Sequence, residues 1–297
     1  MSIFVQCSRV IPLFLFWVFI LKVTALPDTD FKTNLGIRVN ALTEIEQTDE
    51  GADAKYLVYT GVVEYEENTA TLLKDVDLIS LSYQAYLGMV SAHALLAADC
   101  GGKFPEMPPT MTAISIGKRV YFGSALREQK DGGLFHILMK DSLMTAELNA
   151  CAGTKRHSTG SCGELIATAM YVQENGHLPR AVTRDPKGRP IAGINARVTT
   201  WGGYEKWSRE MGGYNIPACN PAWPNQYGCR GFMERQGIRV VTNDEYRSGK
   251  RKEGEEDPPV PPVVEKAPKE TFEGGFTIKK LVGWEFLDDD DMDFEAR

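Results

Sequence analysis

Residues 161–176 read Ser161-Cys162-Gly163-Glu164-Leu165-Ile166-Ala167-Thr168-Ala169-Met170-Tyr171-Val172-Gln173-Glu174-Asn175-Gly176. A cap-rich loop, His157-Ser158-Thr159-Gly160-Ser161, leads into them, and Gly176 supplies a stop, so the pattern predicts a helix from Cys162 to Asn175. A thiol at a helix start has its pKa lowered, because unpaired backbone N–H groups and the helix dipole favour the anion. Glu164 follows two residues later, close enough to reach a water shared with that thiolate without binding the metal itself. Two more cysteines stand downstream, in Pro217-Ala218-Cys219 and Gly228-Cys229-Arg230. Three thiolates with a nearby carboxylate outline a zinc-activated-water site, since thiolates at ~2.3 Å leave the fourth tetrahedral position to water.

Working outward, Tyr56 to Tyr65 has the β-branched and aromatic content of a strand. From Asp75 the pattern turns helical, with Leu78, Leu81, Tyr83, Leu87, Val90, Ala94 and Leu95 at mixed spacings of three and four, up to Cys100-Gly101-Gly102. Met111–Ile116 and Val120–Ala125 flank Gly117-Lys118-Arg119 as a hairpin. Asp141 and Ser142 can cap a helix to Cys151. Ile191–Thr200 reads as a strand, Trp201–Pro224 as a Gly/Trp/Tyr/Pro-rich loop, Cys229–Gln236 as a short helix and Arg239–Val241 as a last strand. This order predicts an α/β fold, a three-layer α/β/α arrangement with a mixed central sheet of about five strands, whose later strands follow helices.

The first residues have the form of a signal peptide. Arg9 precedes an apolar run from Val10 to Ile20, and Val23-Thr24-Ala25 suits cleavage after Ala25. The run is shorter than the ~20 residues of a membrane span, so a secreted chain with no membrane attachment after cleavage is expected. Residues 26–74 read as an acidic N-terminal extension, 75–245 as the folded domain, and 246–297 as a Pro-rich linker with an acidic tail. Residues 80–250 carry 20 basic and 14 acidic side chains, whereas 26–79 and 251–297 are acidic. A mildly basic centre suits a polyanionic substrate; ordinary solvated surface is the plainer account.

Export bears on the cysteines, because thiols in an oxidising compartment end up in disulfides or on metal. Removing the signal takes Cys7 and leaves Cys100, Cys151, Cys162, Cys219 and Cys229. If three hold zinc, Cys100 and Cys151 remain as one disulfide. The alternative is a Cys219–Cys229 bridge with Cys162 as a buried thiol.

Cys162-Gly163-Glu164 at a helix start, a later strand, then Pro217 with Cys219 and Cys229 opening a helix, together resemble the cytidine-deaminase-like superfamily of zinc nucleobase deaminases. The similarity covers roughly residues 75–245 and rests on two short motifs in order, a His-or-Cys, any residue, Glu motif and a Pro-Cys…Cys motif. The segment from Ile116 to Ser124 before the first motif also looks like the family's opening strands. The resemblance implies a deaminase-like fold, Cys162, Cys219 and Cys229 as zinc ligands, and Glu164 as the proton shuttle for hydrolytic removal of an amine from a base. The substrate implied is a nucleobase in nucleic acid or a nucleotide.

Trp201, Tyr204, Trp207, Trp223 and Tyr227 crowd the region before the last ligand, and Trp201, Trp223 and Tyr227 are candidates to stack on bases, with packing as the competing role. Lys250-Arg251 is a dibasic pair of the type a processing protease cuts, which would remove the acidic tail. The expected activity is that of a secreted zinc-dependent deaminase, a toxin or effector. Two other classes are a non-enzymatic secreted effector whose cysteines form disulfides, and a cysteine hydrolase with Cys162 as nucleophile.

Overall fold

The computed structural model describes residues 40–42, 45–48, 51–54, 56–99, 104–128, 143–150, 155–156, 162–203, 213–218, 226–227, 229–243, 264 and 268–272. In chain order the first elements are β1 (Asn40–Leu42), β2 (Ile45–Thr48), β3 (Gly51–Ala54), β4 (Tyr56–Glu64), α1 (Thr69–Leu72) and α2 (Asp75–Asp99). The middle holds β5 (Thr110–Ile116), β6 (Arg119–Ser124), β7 (Arg127–Glu128), α3 (Leu143–Ala150), β8 (Lys155–Arg156), α4 (Gly163–Asn175) and α5 (Arg180–Thr183). Then come β9 (Arg197–Gly202), β10 (Tyr214–Ile216), β11 (Gln226–Tyr227), α6 (Cys229–Arg235), β12 (Arg239–Val240) and β13 (Glu270–Phe272). No helix among the described residues is long and apolar enough to cross a membrane.

The architecture is mixed α/β around an open, largely antiparallel sheet whose main path is β1-β4-β6-β5-β9-β10. Sequence-adjacent β5 and β6 pair as the expected hairpin, turning at Gly117 and Lys118 with Gly117 at φ 61°. β9 pairs with the other side of β5, also antiparallel, and among the described residues the one parallel addition to this sheet is β12 on β9. The parallel second half that alternating helices and strands suggested is therefore confined to that pair. The chain hairpins from β9 into β10, a local connection that pairs antiparallel and takes the place beside β9.

Three strands outside residues 75–245 belong to the same sheet. β4 pairs with β6 and with β1, and β13, from the Pro-rich C-terminal segment, also pairs with β4; Val264 is buried in the core. The boundaries of the expected strand and loop shift as well. Residues 191–196 are irregular with a turn at 192–193, β9 begins at Arg197, and the region expected to be loop from Trp201 contributes the end of β9 and all of β10.

Side chains alternate across the pleat, so each strand feeds two cores. From β5, Met111 and Ala113 join Leu78, Leu81, Ala85, Tyr86 and Met89 of α2 on one face. Ile114 and Ile116 join Leu165, Ile166, Ala169 and Met170 of α4, with Phe232 and Met233 of α6, on the other. The buried stripe of α2 runs Leu78, Leu81, Ala85, Met89, Ala92 and Leu96, at spacings of three and four, whereas Leu95 is 50% exposed. The start of α2 is tied across the sheet end by Asp75, which accepts from both Nη atoms of Arg239 at 2.9 and 2.7 Å and from buried Arg197 at 3.1 Å.

α4 lies very close to the sheet because glycines face each other at the contact. A Cβ on Gly163 would stand 2.6 Å from the Gly123 carbonyl oxygen and 2.6 Å from Thr112 Oγ1. One on Gly123 would stand 2.6 Å from the Ala167 nitrogen. Both β6 and β9 run antiparallel to β5, so they share a direction, and the first turn of α4 rests at their carboxyl ends, by Gly123 and Thr200.

Candidate metal centre

Cys162 is the N-cap of α4, with extended backbone (φ −74°, ψ 144°), and its side chain makes no capping hydrogen bond. A cysteine here leaves the first turn without the side-chain cap that an Asp or Ser would supply. Gly163 permits the helix to start against β5 and β6, and Glu164 then falls in the first turn, 6% exposed. The C-terminus is closed as expected by Gly176 in the left-handed region, φ 71°, its N–H bonded to the Val172 carbonyl.

Cys229 opens α6 and is 5% exposed. Although 67 residues separate Cys162 from Cys229 in number, the two sulfurs and a Glu164 carboxylate oxygen all lie within 4.8 Å of one another. Two thiolates on one tetrahedral ion at ~2.3 Å are roughly 3.8 Å apart, inside that limit. This group can therefore hold a metal ion, and thiolate donors favour soft or borderline ions such as zinc.

The carboxylate is held by a polar ladder on the sheet. Thr200 Oγ1 donates to Glu164 Oε1 at 3.2 Å, and Thr112 Oγ1 lies 2.8 Å from Thr200 Oγ1. A hydroxyl has one proton, and Thr200 commits its own to Glu164, so Thr112 donates in the second contact. Thr112 and Thr200 are directly opposite in the β5–β9 register. Behind them Asn215 of β10 donates to Thr199 Oγ1 at 2.8 Å and to the Thr200 carbonyl at 3.0 Å, and accepts from the Asn243 N–H at 3.0 Å. All of Thr112, Thr199, Thr200 and Asn215 are buried.

The site residues expected from the sequence are thus brought together in part. Cys162, Glu164 and Cys229 converge. Cys219, Cys100 and Cys151 lie outside the described residues, as do Tyr204, Trp207, Trp223 and the Lys250-Arg251 pair. Tyr227 is in β11, paired to β8 away from the main sheet. Trp201 is not at the cluster: it is 2% exposed in β9, on the α2 face of the sheet, with its ring 5.0 Å from that of Tyr83. It is a core residue there, and alternation along β9 puts it on the face opposite Thr200.

The sequence reading missed Thr112, Thr200 and Asn215. A signal existed in the pattern: Thr112 interrupts the Ile114, Ile116 face of β5, and Thr200 continues the Val198 face of β9, so a polar residue sits where a helix must cover the strand. Only the pairing of β5 with β9 shows that the two interruptions are neighbours.

No family model, curated protein or solved structure matches this chain.

Proposed function

We infer that the chain is a zinc-dependent hydrolytic deaminase acting on a nucleobase, in nucleic acid or a nucleotide, on a deaminase-like three-layer fold. One observation carries this reading: two cysteines at the starts of separate helices stand within 4.8 Å of each other and of a buried glutamate. Helices on both faces of the sheet support the fold.

Cys162 and Cys229 would hold the ion, with Cys219 as the expected third ligand. Zinc, when bound, would supply a nucleophile at neutral pH by lowering the pKa of a water from ~15.7 towards ~7. Glu164 would receive the water's proton at a carboxylate oxygen and deliver it to the ring nitrogen, then carry the remaining hydroxyl proton to the amine, so that the C–N bond breaks, ammonia leaves and the carbonyl forms; amine plus water gives carbonyl plus ammonia. Thr200 fixes one carboxylate oxygen, leaving the orientation of the other defined for this transfer. Secretion, cleavage after Ala25 and a toxin or effector role belong to the same proposal and rest on the sequence.

The test has two parts. Zinc per chain is measured in the purified protein and in Cys162→Ser and Cys229→Ser; near one zinc, lost in both variants, is expected. The protein is then incubated with single-stranded DNA, RNA and free nucleosides and the products are searched for uracil or inosine. A chain that takes up no zinc, or zinc uptake indifferent to both substitutions, overturns the metal centre; a loaded protein that releases no ammonia from any of these overturns the reaction.

A further inference from the structure

At the far end of α4 from the cysteine–glutamate group, about 20 Å along a 13-residue helix at 1.5 Å per residue, lies an open cavity of about 870 Å3. Its walls combine apolar side chains, Leu143, Leu178 and Pro186, with the guanidinium groups of Arg180, Arg184 and Arg235. Leu143 is 46% exposed, one of two large hydrophobic residues left so open among the described residues.

The arginines are held in place from below. Glu147 of α3, with its side chain 2% exposed, accepts from Arg180 Nη1, from Arg235 Nε and from Gln236 Nε2 at 3.0 Å. Arg184 is fixed by donating to the carbonyls of Arg235, Gly188 and Glu234. Both Arg180 and Arg235 remain nearly half exposed. Lys187 and Arg189 stand on the adjoining turn, where Asp185 is occupied by Arg189 and by the backbone N–H groups of Lys187 and Arg189. Five cationic side chains in and beside the cavity therefore face two carboxylates, each already engaged. The buried carboxylate of Glu147 spaces two guanidinium groups; Arg180, Arg184 and Arg235 line the cavity together with Asp185, and Lys187 and Arg189 stand beside it. Pre-set guanidinium forks suit phosphate oxygens, and apolar walls suit the faces of a base.

We propose that this cavity is a phosphate-binding subsite for a nucleic acid strand. It takes one nucleotide and its flanking phosphate away from the position of chemistry. The link to the metal centre rests on the deaminase reading, whereas the binding itself does not.

The experiment uses the full chain and a short fluorescent single-stranded oligonucleotide, followed by anisotropy between about 50 and 200 mM salt. The Arg180→Gln/Lys187→Gln double variant is expected to bind at least ~10-fold more weakly at low salt. Its salt slope should be shallower by about 1.4, two phosphate contacts at about 0.7 each for a single strand. Lys118→Gln, in the β5–β6 turn, is the control for diffuse charge and should change neither quantity comparably. Because Arg180 also supports Glu147, Lys187→Gln alone, in an exposed turn, repeats the test with a fold-neutral change; a shallower slope there supports the subsite. The proposal is overturned if the unmodified chain binds no oligonucleotide, if affinity and slope are unchanged in these variants, or if Lys118→Gln loses as much per charge. Zinc content and ammonia release, measured on the same samples, report on the deaminase reading separately.

Discussion

Thr200 donates its hydroxyl proton to Glu164 Oε1 across 3.2 Å, although the two residues belong to a strand and a helix brought together only by packing. Thr200→Val keeps the side-chain shape and removes the donor, leaving Thr112 and the carboxylate each short of a partner. Zinc content should be unchanged while turnover falls about 10- to 100-fold, the range found for outer-shell partners of metal sites. A parallel loss of zinc, measured by elemental analysis, would show that Thr200 supports the ion rather than the carboxylate.

Gly163 is required by proximity and not by backbone angle. In Gly163→Ala the new methyl meets the Gly123 carbonyl and Thr112, both parts of the sheet that cannot swing away. The expected cost is about 1–3 kcal/mol, that of overpacking, with zinc affinity reduced because α4 must lift and carry Cys162 with it. Urea denaturation compared with Gly176→Ala separates the causes. At Gly176 the space is open and only the left-handed φ opposes a side chain, so that variant should be destabilised with zinc affinity intact.

Cys162 is half-buried and Cys229 almost fully buried, and both should be shielded from alkylation when an ion bridges them. Chelator treatment is expected to raise labelling of Cys162 strongly and of Cys229 more slowly, read by peptide mass. Labelling of Cys162 at the same rate before and after chelation would fit a thiol with no metal.

His93 sits between the rings of Tyr59 and Phe104, and burial pushes its pKa below the ordinary 6.5. Its Nδ1 is buried with no hydrogen-bond partner among the described residues. The folded state binds a proton less readily than the unfolded chain, so the stability from neutral His93 is present above about pH 6.5 and is lost as pH falls through the folded value. His93→Phe should flatten the pH dependence of the unfolding midpoint between about pH 5 and 7. A slope unchanged in the variant would assign that pH dependence to other groups.

Asp75 is held below the ordinary carboxylate range, first by its hydrogen bonds from Arg239, then by those from Arg197, against partial desolvation. The sign follows: its contribution is complete above the unfolded value near pH 3.9 and disappears as pH falls through the lowered folded value. Asp75→Asn should lose on the order of 1 kcal/mol at pH 7, as the side chain is 44% exposed, and should lack this acid step. Paired urea titrations at pH 7 and 3 measure both.

Local chemistry was enough to read α4, its cysteine cap and its glycine stop, the β5–β6 hairpin with Gly117 in the turn, and the start of α6 at Cys229. These depend on periodicity, caps and turn residues within a few positions of each other. Pairing over long separations was not legible: β4 and β13 entering the sheet, β9 lying antiparallel to β5, and Trp201 facing α2 instead of the cluster. A strand's residues show which of them share a face, but not which strand comes alongside or which helix covers it. The sequence alone determined which side chains stand at the heads of α2, α4 and α6. Only tertiary packing decided that Cys162, Glu164 and Cys229 meet, that Thr112 and Thr200 support the carboxylate, and that Glu147 gathers arginines around a cavity, because sheet register and glycine-to-glycine contact set those distances.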